Sequence, residues 1–301
     1  MKIIFLNLIL LQLLVVLQIF PQRFITNDES EDRAPKWSPD GKSIVFESNR
    51  DGNWEIYTVN IDNSGLKRIT ENEADDRRPS WHPDSKNILF ESNRGGRNEL
   101  YTINLLSNKT QKIEIKNFEK EIMFAKFSPD GKKIAFSSDL SENGSANFNI
   151  FIVDASGNNL KQITYDSTRS LYPEWSKDGK KIYFFSRRDT ENKVDEIYSI
   201  NLSNNQTDRI TNWPTHNFAP ALSPDQKYLV CATSIENSRP ELFIVDLDSK
   251  LMNQITSNDY GNTEPDWSSD GNSIVYASYK NGNYDICIIN RDEIDKSLNL
   301  K

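Results

Sequence analysis

The sequence is poor in the residues that build disulfide frameworks and histidine metal sites. Its 301 residues include only two cysteines, Cys231 and Cys287, and two histidines, His82 and His216. Two cysteines in so long a chain do not make a disulfide framework, and two histidines in different parts of the chain exclude a multi-histidine metal site. We expect both thiols to be free and buried, because cysteine behaves as a small hydrophobe in protein cores.

The sequence also lacks a hydrolase motif and an excess of positive charge, and both absences limit the possible functions. The G-x-S-x-G motif of α/β-hydrolases occurs nowhere in the chain. Positive charge is not in excess either, since the formal net charge is −8 and the pI about 5.0. An acidic surface repels a phosphate backbone, so we expect no nucleic-acid partner.

The long apolar run of the chain lies at its beginning. Lys2 precedes an apolar stretch over residues 3–20, which is broken only by Asn7, Gln12 and Gln18. A positive start followed by an apolar stretch is typical of a secretory signal. No small-x-small cleavage site follows, and about 20 apolar residues can span a bilayer. We assign residues 1–22 to a cleaved signal peptide or a retained signal-anchor over 3–20. Either one places the remaining chain outside the cytoplasm, periplasmic or secreted.

One hexapeptide recurs six times after this leader. It reads Trp-Ser-Pro-Asp-Gly-Lys at Trp37–Lys42 and decays in later copies. Its aspartates are Asp40, Asp84, Asp130, Asp178, Asp225 and Asp270, at spacings of 44, 46, 48, 47 and 45 residues. A period of 40 to 50 residues with strand-like content is typical of propeller blades.

Each copy has the pattern of four strands joined by polar turns. In the first copy, Ser-Pro-Asp-Gly makes a tight turn, and strands follow at Ser43–Ser48, Glu55–Asn60 and Lys67–Thr70. The last copy ends after its third strand, at Asp285–Asn290, and a spare Arg-Phe-Ile-Thr stands ahead of the first copy at Arg23–Thr26. We predict an all-β fold over residues 23–292. It is a six-bladed β-propeller of four-stranded antiparallel blades whose ring is closed by the N-terminal strand, with a tail at 293–301.

The repeat resembles the WD-like propeller repeats of the TolB family. The shared pattern runs P-x-W-S-P-D-G-K, I-x-F-x-S, E-I-Y and R-I-T, and is clearest at Pro35–Thr70 and Pro79–Asn104. The resemblance covers residues 23–292 and implies a periplasmic or exported propeller that binds other molecules. TolB carries an α/β domain ahead of its propeller, and we expect none here. The motif specifies turns and packing, so it does not indicate a chemistry.

Positions that repeat in most of the blades are expected to serve the scaffold. The third-strand acids Glu55, Glu99, Glu196, Glu241 and Asp285 are read as structural hydrogen-bond acceptors, and Arg50 and Arg94 as surface residues. The loops that lead into the innermost strands vary between copies and rim one mouth of the channel. Binding residues concentrate on loops held by a rigid frame. Our candidates for binding a ligand or partner there are Arg33, Arg77, Arg78, Arg169, Tyr172, His216, Asn217 and Glu264.

These residues favour an exported, non-catalytic binding or scaffold propeller. Arginines, carboxylates and aromatics together suit a protein, peptide or glycan of the cell envelope, though an ordinary polar rim would look similar. We expect a monomer without a cofactor that meets the membrane only through its N-terminal segment. One alternative is a propeller hydrolase, lactonase or lyase with a channel cation such as calcium, held by Asp32, Asp76, Asn217, Asn262 and Glu264. Another is an accessory propeller of a separately encoded peptidase.

Overall fold

The fold is a ring of six four-stranded antiparallel sheets. A computed structural model describes residues 22–141, 147–190, 193–213, 215–235, 238–257 and 260–297. The predicted leader therefore lies outside the described residues, apart from Gln22. Blades 1 to 6 are numbered by their innermost strands, which contact one another around the channel.

The four strand positions recur in every blade. The innermost strands are β2 (Asp32–Trp37), β6 (Asp76–Trp81), β10 (Met123–Phe127), β14 (Ser170–Trp175), β18 (His216–Leu222) and β22 (Asn262–Trp267). The second strands are β3 (Ser43–Ser48), β7 (Asn87–Ser92), β11 (Lys133–Asp139), β15 (Lys181–Ser186), β19 (Tyr228–Ser234) and β23 (Ser273–Lys280). The third strands are β4 (Glu55–Asn60), β8 (Glu99–Asn104), β12 (Phe148–Asp154), β16 (Glu196–Asn201), β20 (Glu241–Asp246) and β24 (Asn283–Asn290). The outer strands are β1 (Arg23–Phe24), β5 (Lys67–Arg68), β9 (Lys109–Lys112), β13 (Lys161–Gln162), β17 (Thr207–Arg209) and β21 (Met252–Gln254).

The N-terminal strand closes the ring, as predicted. Strand β1 pairs antiparallel with β24, with Arg23 opposite Ile288 and Phe24 opposite Cys287. Thr26 extends the pairing, because its hydroxyl accepts the amide of Ile286 at 2.9 Å. Blade 6 thus takes its outer strand from the start of the chain and its other three strands from the end. A short helix, α1 (Arg291–Ser297), follows β24 where the tail was placed, and it buries Ile294 completely.

Aromatic pairs fill the space between neighbouring blades. Phe46 and Tyr57, opposite each other on β3 and β4, stack with ring centroids 5.9 Å apart. The same pair recurs in blades 2, 3 and 4. Cys231 takes the first place in blade 5 and Cys287 the second place in blade 6, opposite Phe243 and Tyr276. Both thiols are free and buried, as expected.

The Ser-Pro-Asp-Gly turn links the innermost strand to the second. The hydroxyl of Ser38 donates to Asp40 at 2.7 Å and accepts the amide of Ser43 at 3.0 Å. Gly41 occupies the left-handed region at φ 71°, which costs a glycine little. These turns lie at one end of the ring, and the loops that enter the innermost strands lie at the other end. The second group forms the channel mouth.

Candidate functional site at the channel mouth

Every innermost strand bulges at one residue with a left-handed backbone. The φ angles lie between 48° and 62° at Ala34, Arg78, Phe124, Tyr172, Ala219 and Glu264. The strand register shifts around each of them. We call these six residues the bulge ring. Left-handed non-glycine residues are uncommon and strained, and they cluster at functional sites. Three of the candidates, Arg78, Tyr172 and Glu264, belong to this ring.

Neighbouring side chains stabilise the strained amides of the bulge ring. Glu47 accepts the amide of Arg78, and the hydroxyl of Ser137 accepts the amide of Tyr172 at 3.2 Å. Glu264, itself a member of the ring, accepts the amide of Ala34 at 2.9 Å. These bonds hold the bulges from the adjacent blade, so the mouth geometry is set by packing between blades.

Tyr172 connects blade 4 to blade 6. Its hydroxyl donates to Glu264 at 3.1 Å, and its ring lies 4.2 Å from that of Phe124. Burial raises the pKa of Tyr172 well above its ordinary value, and the charge of Glu264 raises it further. The phenol therefore stays protonated and serves as the donor in this bond.

A layer of ion pairs follows the bulge ring along the same strands. Lys36 lies 3.6 Å from Asp266, and Lys126 pairs with Glu174. Burial lowers the pKa of Lys36, and Asp266 opposes this effect. The blade-2 member of the layer, Ser80, is buried and its hydroxyl has no partner among the described residues. Sequence reasoning missed this layer, although most of its residues occupy the variable place between Pro and Trp in the repeat, and Lys126 occupies the same place between Ala125 and Phe127.

Arg77 and Arg78 sit over two buried carboxylates. Arg77 pairs with Glu47 at 2.9 Å and stacks 4.3 Å from the ring of Trp54. Arg78 pairs with Glu91 at 2.8 Å and stacks on Phe124. Burial raises the pKa of Glu91 to about 7, although Arg78 lowers it. Both arginines therefore support the scaffold as well as facing the mouth.

Two arginines and two tyrosines form a continuous row of contacts over blade 6, in which the two tyrosine rings meet edge to face. The guanidinium of Arg33 lies 4.3 Å from the ring of Tyr284, which contacts Tyr279 at 5.1 Å. Arg239 covers the other ring, with its guanidinium 4.5 Å from Tyr279. We call these four residues the arginine–tyrosine row. Beside Arg239 lies a cavity of about 400 Å³, lined also by Thr233, Ile235, Ser238, Glu241, Gln254 and Ser257.

The carboxylate of Asp195 contacts three basic side chains where blades 4 and 5 meet. Arg169 contacts both of its carboxylate oxygens, with Nε 2.8 Å from Oδ1. Arg187 approaches Oδ1 at 3.1 Å, and Nδ1 of His216 lies 2.8 Å from Oδ2. Sequence reasoning found Arg169 and His216 but neither Asp195 nor Arg187, because no local motif joins them.

The third-strand acids and the arginines after the second strands, which were assigned to the scaffold or the surface, form hydrogen bonds and ion pairs within the blades. Glu55 accepts hydrogen bonds from Thr70, Arg68 and the amide of Asn72, which confirms the structural reading of the third-strand acids for this blade. The reading of Arg50 as a surface residue is wrong, because it is partly buried, whereas Arg94 is exposed, as predicted. Each arginine donates from Nη2 to both oxygens of a buried carboxylate, Asp32 or Asp76, and stacks on the aromatic pair of its own blade.

The oxygen atoms that we considered for a channel cation do not converge. Asp32 and Asp76 are paired with those arginines, Asn217 bonds to Glu196 and Thr233, and Asn262 bonds to Glu241. Asn217 is also fully buried and supports the scaffold. Within the ranges that the structure describes, no group of three or more His, Cys, Asp or Glu side chains is placed to hold a metal.

Comparison with known proteins identifies the repeat. The profile of the TolB beta propeller domain matches residues 13–137, 108–212 and 189–297. The chain belongs to the TolB beta propeller domain family. TolB beta propeller repeats therefore account for all six blades of the ring.

Curated relatives match part of their own length. An uncharacterized protein of Agrobacterium fabrum is 28% identical over 152 residues, which are 50% of this chain and 49% of the relative. The Tol-Pal system protein TolB of Francisella tularensis is 29% identical over 113 residues, 37% of this chain and 25% of the relative. The matched region thus spans about half or less of these proteins.

Solved structures share the propeller fold. TolB from Acinetobacter baumannii superposes with a TM-score of 0.69 at 24% identity, covering 88% of this chain and 61% of that one. An oligogalacturonate lyase in complex with manganese superposes with a TM-score of 0.64 at 13% identity, covering 90% and 96%. At these identities the likeness establishes the architecture alone. In the part of the chain that the structure describes, no helix has the length and apolarity to cross a membrane.

Proposed function

We propose that this TolB-family chain is an exported, non-catalytic propeller that binds a protein partner of the cell envelope at its channel mouth. The arginine–tyrosine row carries the proposal. Arginine and tyrosine are enriched among the residues that dominate protein–protein affinity. Stacking positions both guanidinium groups before a partner arrives, so less side-chain freedom is lost on binding.

The surroundings of the row support the same function. Arg33 has 37% of its side chain exposed, and its partner Glu31 is itself a mouth residue. The cavity beside Arg239 gives an apolar or small polar side chain of the partner a place to enter. Membership of the TolB family supports an envelope setting, since its curated members include Tol-Pal system proteins. No described contact favours the enzymatic alternative, because the considered cation ligands are bound within the scaffold.

The test compares charge reversals at the two ends of the ring. The purified protein is used to capture a partner from the envelope fraction, and the affinity of the identified partner is then measured for each variant. Arg33→Glu with Arg239→Glu should weaken binding at least about tenfold, as expected for the loss of hot-spot residues. The matched control is Lys132→Glu with Lys180→Glu, two exposed lysines beside the Ser-Pro-Asp-Gly turns, which should keep wild-type affinity. Equal affinity of the two double variants would place the binding surface elsewhere.

A further inference from the structure

The cluster around Asp195 has no counterpart in the other blades. The position of Arg169, three residues before the bulge ring, holds an acid in blades 1 to 3, namely Glu31, Asp75 and Glu121. In blades 4 and 5 it holds Arg169 and His216. The position of Asp195, just before the third strand, is Trp54 in blade 1 and Tyr284 in blade 6. The scaffold does not require a basic residue at this position, because blades 1 to 3 fold with an acid there. The basic residues of blades 4 and 5 therefore call for another explanation.

Arginines outnumber carboxylates in this cluster. Arg169 and Arg187 face the single carboxylate of Asp195. Two other carboxylates of blade 4 have arginines of their own, since Asp166 pairs with Arg188 and Glu196 with Arg209. Burial alone would raise the pKa of Asp195, but Arg169, His216 and Arg187 together lower it below its ordinary value. Asp195 is therefore ionised, and in the described contacts two guanidinium groups share this one carboxylate.

The basic groups remain accessible from the mouth. The carboxylate of Asp195 is only 3% exposed, whereas the side chains of Arg169, Arg187 and His216 are 31%, 35% and 42% exposed. Both arginines contact Asp195 through Nε and Nη2. Their Nη1 groups have no partner among the described residues. The buried carboxylate thus holds two partly exposed guanidinium groups in place.

One buried and one half-buried aromatic ring adjoin the cluster. The guanidinium of Arg169 lies 5.7 Å from the ring of Phe185, which contacts the half-buried ring of Phe218 at 6.4 Å. Phe218 is two residues from His216 on strand β18. A ligand that combines a negative group with an aromatic or aliphatic side chain would meet both features.

We propose that Arg169, Arg187 and His216 form an anion subsite that binds a carboxylate of a peptide. Guanidinium groups bind carboxylates by paired, charge-assisted hydrogen bonds, and the adjoining rings suit an apolar residue beside that carboxylate. The peptide source, rather than a free anion, rests on the function proposed above.

The experiment titrates the purified protein with small peptide probes. The Nε–H resonances of Arg169 and Arg187 are followed by nuclear magnetic resonance. N-acetyl-L-phenylalanine carries a terminal carboxylate, N-acetyl-L-aspartyl-L-phenylalaninamide a side-chain carboxylate, and N-acetyl-L-phenylalaninamide none. A carboxylate probe should shift both resonances and bind at least about tenfold more tightly than the neutral amide, the effect of one charge-assisted hydrogen bond or more. The better of the two acids identifies the source of the carboxylate.

Matched variants assign the effect to these residues. Arg187→Gln leaves Arg169 and His216 on Asp195, so it should fold normally and lose most of the preference for the acid. Arg187→Lys should keep part of that preference, and Arg97→Gln, at a partly exposed arginine of blade 2, should keep all of it. Equal binding of acid and amide, or an equal loss in Arg97→Gln, overturns the subsite.

The two proposals can fail separately. If the peptide carboxylate binds but Arg33→Glu with Arg239→Glu leaves partner affinity unchanged, the subsite stands and the proposed function falls. If the titration shows no preference while that double variant loses its partner, the subsite falls and the proposed function stands.

Discussion

The hydroxyl of Tyr172 and the carboxylate of Glu264 join blades 4 and 6 at 3.1 Å, beside the short side chain of Ala219 on the blade between them. Glu264 also accepts the amide of Ala34 in blade 1. One carboxylate therefore connects three blades at the mouth. The two contacts differ in kind, since one holds a side chain and the other a strained backbone.

This difference predicts unequal effects of two substitutions. Glu264→Ala should lower the free energy of unfolding by about 1–3 kcal/mol, because it leaves the amide of Ala34 without its acceptor. Tyr172→Phe should cost about 1 kcal/mol, since only the hydroxyl is lost. Urea denaturation measures both, and hydrogen exchange at the Ala34 amide should accelerate in the first variant alone. Equal exchange rates in both variants would contradict the role assigned to Glu264.

The arginines of the mouth should separate into structural and exposed ones. Arg78→Ala leaves Glu91 as a buried, unpaired carboxylate, which should cost about 3–5 kcal/mol. Arg33→Ala removes a partly exposed pair with Glu31 and should cost less than about 1 kcal/mol. Thermal denaturation compares the two. A similar melting temperature for both variants would show that Arg78 is not needed by the fold.

Glu91 should make stability depend on pH. Its pKa is raised to about 7 in the folded protein and is near the ordinary value of about 4.3 in the unfolded chain. The folded state then binds the proton more tightly, so the stability that this group contributes is greatest below about pH 4 and is lost as pH rises toward 7. The slope contributed by this group approaches about 1.4 kcal/mol per pH unit within that window. Glu91→Gln should flatten the profile measured by urea denaturation between pH 5 and 8, whereas Glu71→Gln, at an exposed carboxylate, should not.

Closure by β1 should make residues 22–27 essential for stability. A chain that begins at Asp28 loses the β1–β24 pairing and the buried side chain of Ile25. It should be less stable by about 3–6 kcal/mol than a chain that begins at Gln22, from the burial of two apolar side chains. A chain ending at Ser297 is the control at the other terminus, since trimming after Asp292 would also remove the buried Ile294. Equal melting temperatures for the chains that begin at Gln22 and Asp28 would refute closure.

The architecture was predictable because it rests on local chemistry repeated six times. The strands predicted at Ser43–Ser48 and Glu55–Asn60 have those bounds in the structure. The outer strand predicted at Lys67–Thr70 is shorter in the structure, where β5 comprises only Lys67–Arg68. Period and turn residues determine strands well, but they place a weak outer strand poorly.

The site was less predictable because its contacts form only when the ring closes. Lys36 and Asp266 lie 230 positions apart in the sequence and meet in adjacent blades. Arg50 was misread because Asp32, its partner, stands on the neighbouring strand. The left-handed bulge could not be predicted from a glycine, because non-glycine residues such as Tyr172 and Glu264 adopt the positive φ angle there. The role of a blade-specific residue such as Asp195 can be inferred only from the side chains that it contacts in the folded ring.

The pairing of the first strand with the last also bears on how the protein folds. Thr26 and Ile286, which bond across this seam, are separated by 260 residues. Strand β1 leaves the ribosome before the other strands of the ring, and its partner β24 leaves after them. Five blades consist of consecutive strands and can form from contiguous sequence. Blade 6 can be completed only when both β1 and β24 are available. Contacts so distant in sequence form slowly, so we expect ring closure to be a late step of folding. The unpaired edge of blade 6 is then the surface that stays exposed to aggregation longest.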